Sequence, residues 1–211
     1  MVKFIRENEG RCARVKKLVI KTICFTLGGI MLLMGLLYGA LAIFSPKTLA
    51  NFFDGIGFER LALKNYEREY NKTEDILDLY ELVVKFDEEE NAEKCEKYAL
   101  ALISIDNFDT LCALLDGENA SVTTKEFVNS KYALSLFYGD KFSDSVNFAK
   151  EYFDANGYTS FSPFRVLVAE GKAVFSAEQK QSLVEKLNEA FSVATPSEQA
   201  LITSDINSLN N

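Results

Sequence analysis

Carboxylates carry nearly all the ionisable chemistry open to this chain, because its 211 residues include no histidine. Without imidazole there is no Ser-His-Asp or Cys-His nucleophile, no His-containing zinc site and no histidine pH switch. The chain also lacks a Cys-x-x-Cys pair, a phosphate loop ending in Gly-Lys-Ser/Thr, and a serine followed at the third position by lysine. Acid pairs such as Glu67/Glu69 and Asp75/Asp78 have the residue types of a glycosidase's acid and nucleophile, but the separation that would decide it is a tertiary quantity. The densest acidic run is Asp87-Glu88-Glu89-Glu90. It could draw a divalent cation or a basic partner, yet it lacks the alternating ligands and internal glycine of a calcium loop. Its plainer reading is a solvated helix end before an Asn91 cap. The expectation is therefore a protein that is not an enzyme and holds no metal or cofactor.

Tyrosines are the other side chains suited to recognition. Tyr66, Tyr70, Tyr98, Tyr132 and Tyr138 are candidates to line a groove for an extended peptide or a partner helix, where an aromatic body with a polar tip suits an interface. The same helical spacing also suits rings wedged between the helices of a hairpin. Of the four cysteines, Cys12 lies in a basic segment and is a candidate for palmitoylation, and Cys24 lies in an apolar one. Cys95 and Cys112 would sit at unequal distances from a turn near Ile105-Asp106 if they fall on successive antiparallel helices. The offset, roughly 6 Å of helix rise, favours two buried thiols over a disulfide.

The element that positions everything else runs from Thr22 to Phe44 without a charged residue. At about 1.5 Å per residue it can cross a hydrocarbon core of roughly 30 Å as a helix. Residues 1–21 carry seven Lys/Arg against two acids, a net of +5, which leaves −13 of the total −8 for residues 45–211. The excess of Lys/Arg predicts the amino end on the cytoplasmic side and the acidic region outside the cytosol. So negative a domain is not a nucleic-acid binder. Gly39-Ala40-Leu41-Ala42 keeps a second reading open, a signal peptide cleaved after Ala42, although the apolar run exceeds the usual secretory core. Gly35 and Gly39 form a small-xxx-small pair that suits lateral helix pairing, hence a homodimer, and glycine is also simply frequent in membrane helices.

After the span, Ser45-Pro46 opens a short helix that the Gly55-Ile56-Gly57 stretch stops, with Leu49, Phe52 and Phe53 on one side. This juxtamembrane element, 45–56, either lies at the membrane surface or begins the core of the domain that follows. From 57 to 211 apolar residues recur at i, i+3, i+4 and i+7, as in Ile76, Leu79, Tyr80 and Val83. Capping boxes at Thr123/Glu126, Ser176/Gln179 and Thr195/Glu198 mark helix starts. The expected helices are 57–72, 74–87, 91–104, 107–116, 123–138, 141–154, 163–174, 177–193 and 196–208. Val166-Leu167-Val168 is the segment most suited to a strand, but Ser162-Pro163 favours a helix start there. Two sequons, Asn71-Lys72-Thr73 and Asn119-Ala120-Ser121, matter only in a eukaryotic secretory compartment.

Lys97-Tyr98-Ala99-Leu100 recurs thirty-four residues later as Lys131-Tyr132-Ala133-Leu134, and Asp106 and Phe108 return as Asp140 and Phe142. This resembles the tetratricopeptide repeats, whose paired helices stack into a solenoid. The likeness covers about residues 57–154. It departs from the repeat pattern where the small position of the second helix is filled by Ser145 in one copy but by bulky Leu111 in the other, and neither copy carries the closing proline. The expected fold is all-α: one N-terminal membrane helix, 22–44, then an α-hairpin solenoid or helical bundle. The expected role is a membrane-anchored scaffold that docks other proteins outside the cytosol, near export or envelope assembly. The alternatives are a secreted or surface-held binding module and a carboxylate-dependent enzyme.

Overall fold

The computed structural model describes residues 2–116 and 122–210, with side chains from residue 18 onward. Cys12 and the six basic residues before Leu18 lie outside the described side chains, and the 119–121 sequon lies outside the described residues. The chain divides into two compact units, Met1–Glu69 and Tyr70–Asn211.

The first unit holds α1 (Val2–Phe44), α2 (Pro46–Gly55) and most of α3 (Glu59–Thr73). Basic and apolar segments form one continuous helix. The stretch of α1 long and apolar enough to cross a membrane is Leu18–Phe44, 27 residues. It starts earlier than the uncharged run because Leu18, Val19 and Ile20 continue it beyond the single charge of Lys21. A signal sequence passes the same test of length and composition. The hydroxyls of Thr22 and Thr26 donate to the carbonyls of Leu18 and Thr22 at 3.0 and 2.6 Å, so this stretch supplies its own acceptors, as an apolar solvent demands.

The second unit is built from α4 (Ile76–Glu88), α5 (Ala92–Ile103), α6 (Phe108–Leu115), α7 (Thr124–Tyr138), α8 (Phe142–Asn156), α9 (Pro163–Val174), α10 (Ala177–Phe191) and α11 (Pro196–Asn210). No strand occurs among the described residues. The Val166–Val168 segment is helical, opened by Ser162 at the N-cap and Pro163 in the first turn. The capping boxes of α7 and α10 are both closed reciprocally. Packing is local in sequence: α4 lies on α5, α5 on α7, α7 on α8 and α9, α8 on α9 and α10, and α9 and α10 on α11. From α7 onward each helix meets the next and the next but one.

The two thirty-four-residue copies close differently, for a steric reason. In the second, Ser145 is buried and its hydroxyl donates to the carbonyl of Ala133 at 2.6 Å, so α8 sits tightly on α7. In the first, Leu111 stands at the equivalent sequence position, thirty-four residues before Ser145. There α5 and α6 are not antiparallel as the sequence suggested; they meet at a bend of 105°, and α6 packs on α7. Cys95 and Cys112 are both buried and free. The core of the last four helices centres on Phe164, Leu167, Leu183, Leu187 and Ile202, all fully enclosed. Phe175 packs over Gly171, where an added Cβ would stand 2.7 Å from the ring.

Helix ends explain the breaks. In α2, α4 and α7 the backbone closes with the same six-to-one bond, Phe58 N–H to Phe53 O, Asn91 N–H to Phe86 O and Lys141 N–H to Leu136 O. The residue before each donor is left-handed: Gly57 (φ 75°), Glu90 (φ 53°) and Asp140 (φ 62°). Glu74 (φ 51°) does the same between α3 and α4. This delays the start of α4 to Ile76, with Asp75 capping Leu77 N–H at 2.8 Å, two residues later than the periodicity suggests. A Cβ in this region costs roughly 1–2 kcal/mol, partly offset by the greater freedom of glycine when unfolded. Exposed Glu74→Gly is therefore expected to raise the unfolding free energy by about 0.5–1 kcal/mol, with Glu74→Ala giving no such gain. Denaturant titration followed by circular dichroism checks this, and equal midpoints for the two variants would refute it.

Candidate functional site

A groove of about 560 Å³ opens in the second unit between the C-terminal end of α4, the start of α5 and the C-terminal halves of α7 and α9. Phe86, Ala92 and Leu134 supply its apolar wall, and Cys95 and Ser135 its deeper part. Three carboxylates, Asp87, Glu90 and Glu170, share it with one ammonium, Lys131. The six-to-one turn at the end of α4 places Asp87, Glu90 and Asn91 along one edge. The Asn91 carboxamide oxygen caps α5 by accepting from Lys94 N–H at 3.1 Å.

Pairing within the groove is uneven. Lys131 Nζ meets Asp87 Oδ2 at 2.7 Å, neutralising one acid. The Tyr138 hydroxyl donates to Glu170 Oε1. Glu90 is exposed at the left-handed turn and faces no cation among the described contacts. The Tyr138 phenol is pushed up to about 12 by loss of solvent first, then by its hydrogen bond to Glu170 and the charges of Glu170 and Glu90. It is thus a neutral donor at any physiological pH, on a residue 52% exposed. Burial, with the Asp87 charge second, pushes the Cys95 thiol up to about 12. A protonated thiol is a poor nucleophile. The groove combines an apolar wall, an exposed aromatic ring and excess negative charge.

The other tyrosines singled out from sequence fill spaces between helices. In the first unit, buried Tyr66 donates its hydroxyl to Asn51 Oδ1 at 2.8 Å. In the second, buried Tyr98 stacks on Phe86 with centroids 5.5 Å apart and planes at 11°, and Tyr70 meets Tyr98 edge-on at 6.1 Å. Tyr132 is half-buried, edge-on to Phe148 at 4.7 Å. Only Tyr138 of the five lines the groove. The acid pairs do structural work: Glu69 accepts from Lys47 N–H at 3.1 Å, Asp75 caps α4, and Asp78 accepts from the Thr73 hydroxyl at 3.1 Å. Gly35 and Gly39 lie on α1 with open space where a Cβ would stand. Among the described residues no cluster of carboxylates or cysteines could hold a metal ion.

Sequence reasoning passed over Glu170 and treated Lys131 only as a repeat marker. Continued by another thirty-four residues, the offset falls on α9. Its polar residues could have been expected beside Tyr138 on that ground, but α9 carries no copy of the Lys-Tyr-Ala-Leu motif. No family model matches the chain, and neither a curated protein nor a solved structure matches it.

Proposed function

We propose that this chain is a membrane-anchored docking protein. Its α1 spans a bilayer with the amino end in the cytosol. Its second unit, a tetratricopeptide-like stack of helical hairpins outside the cytosol, holds a segment of another protein in the α4–α5–α7–α9 groove. The observation that carries this is the groove itself, with Tyr138 exposed and no cation facing Glu90 among the described residues. The repeat reading is supported by the sequential packing from α7 onward and by α5, α7 and α9, the first helix of each successive hairpin, all lining the groove. The orientation is supported by the net +5 of residues 1–21. Excess carboxylate in the groove favours a partner segment that presents Lys or Arg beside an apolar side chain.

The test is site-specific photocrosslinking of the full chain in native membranes, with a benzophenone amino acid at position 138 and, as control, at exposed Val193. A discrete adduct from position 138 alone, weakened at least about tenfold by Glu90→Lys, is the expected result; about 1.4 kcal/mol of binding energy accounts for that factor. Identical adducts from both positions, or none from 138, would overturn the groove as the docking site.

A further inference from the structure

The first unit exposes a cluster of large apolar side chains beyond the end of α1. Phe52, on α2, and Ile56 and Phe58, on the turn that follows, are exposed by 58%, 50% and 56%. Ile43 and Phe44, the last two residues of α1, are exposed as well. In contrast, α2 buries Pro46, Leu49 and Ala50. The aromatic rings are linked: Phe53 meets Phe52, Phe58 and Tyr38 at centroid distances of 5.6, 6.4 and 6.2 Å.

The contact with Tyr38 sets the depth. Tyr38 lies six residues before the end of α1, roughly 9 Å of helix rise inside it. Helix α2 therefore packs back along the final turns of α1, where Gly39, Leu41 and Ala42 are the only residues of 18–44 that are not exposed. A helix held there, with apolar side chains turned outward, lies at the depth at which interfacial helices enter the boundary between headgroups and acyl chains, about 5–10 Å. Aromatic residues concentrate at that level.

We propose that α2 and the following turn form a lipid-binding foot, with Phe52, Ile56 and Phe58 inserted into the outer leaflet around the span. The occupant is phospholipid, because the exposed face is continuous with the lipid-facing end of α1 in the same compact unit. The foot gives the chain a second point of attachment to the leaflet that α1 leaves. It rests on the reading of α1 as an uncleaved span.

The chain has no tryptophan, so a single introduced indole reports its own environment. Full-length Phe52→Trp, Phe58→Trp, Leu33→Trp and Val193→Trp variants would be reconstituted in phosphatidylcholine vesicles carrying a nitroxide either near the headgroup or deep in the acyl chain. All four positions are exposed, which leaves the core unperturbed. The foot predicts loss of emission at 52 and 58 that is greater with the shallow nitroxide, loss at 33 that is greater with the deep one, and none at 193. Quenching at 33 without quenching at 52 and 58 would overturn the foot and leave the span standing. Absence of quenching at 33 would overturn both.

Discussion

Asp205→Ala is expected to lower the unfolding free energy by about 3–5 kcal/mol, because it removes the acceptor from two groups at once. Asp205 is buried on α11, where its Oδ2 receives the Tyr158 hydroxyl at 2.7 Å and stands 3.0 Å from Arg165 Nε on α9. The network joins α9, α11 and the segment between α8 and α9. A second bond strengthens that join: Tyr158 N–H donates to Glu198 Oε1 at 2.8 Å, while Glu198 Oε2 also takes the N–H and hydroxyl of Thr195. Without Asp205 the half-buried guanidinium loses its carboxylate and the enclosed phenol loses its acceptor, with no other for either among the described residues. Asp205→Asn keeps an oxygen for Tyr158 and gives up only the charge, so its cost should be smaller, about 1.5–3 kcal/mol. Denaturant unfolding of the full chain in mild detergent, read by near-ultraviolet circular dichroism, separates the three proteins. An Asp205→Ala midpoint equal to that of the parent would sink the argument.

The second large effect is a loss of stability in alkali. Burial, then neighbouring carboxylates, pushes Cys95 and Cys112 up to about 12 and about 11 from an ordinary 9.0. Tyr152 is raised to about 12 from 10.0, and Tyr158 is raised further by burial and by its bond to Asp205. These acids stay neutral in the fold at pH values where the unfolded chain would ionise them. Their contribution is therefore fully present below about pH 9, begins to fall as unfolded thiols and phenols deprotonate, and is gone once pH passes the raised folded values. Cys95 alone accounts for a loss on the order of 4 kcal/mol across that window. The unfolding midpoint should be level from pH 7 to about 8.5 and drop steeply between about 10 and 12. Cys95→Ala with Tyr152→Phe should flatten the drop. A midpoint independent of pH up to 12, or a slope unchanged in the double variant, would rule this out.

The fate of the acidic run marks where local information ends. That Asp87-Glu88-Glu89-Glu90 closes a helix was legible, because four acids before an Asn cap cannot continue an apolar stripe. That Asp87 would meet Lys131 and that Glu90 would share a groove with Tyr138 and Glu170 was not. Those partners stand on α7 and α9, and their meeting depends on helix crossing, which no local spacing encodes. The tyrosines divide in the same way. Tyr98 and Tyr138 both stand on helices of the second unit, yet one stacks on Phe86 inside the unit and the other lies open in the groove.

Helices, their order and most of their ends were legible in the chain, together with an apolar stretch long enough to cross a membrane, since caps, prolines and apolar periodicity act within a few residues of one another. The chain also carried the difference between the two copies, because a small Ser145 admits close approach to Ala133 and a bulky Leu111 does not admit the same approach to Ala99. What local signals did not show is that α5 and α6 meet at 105°, that α2 folds back on the end of α1, and that one groove gathers its charges from three helices and a turn. Each of those depends on side chains far apart in the chain competing for the same buried volume, and that competition is resolved only when the whole unit packs.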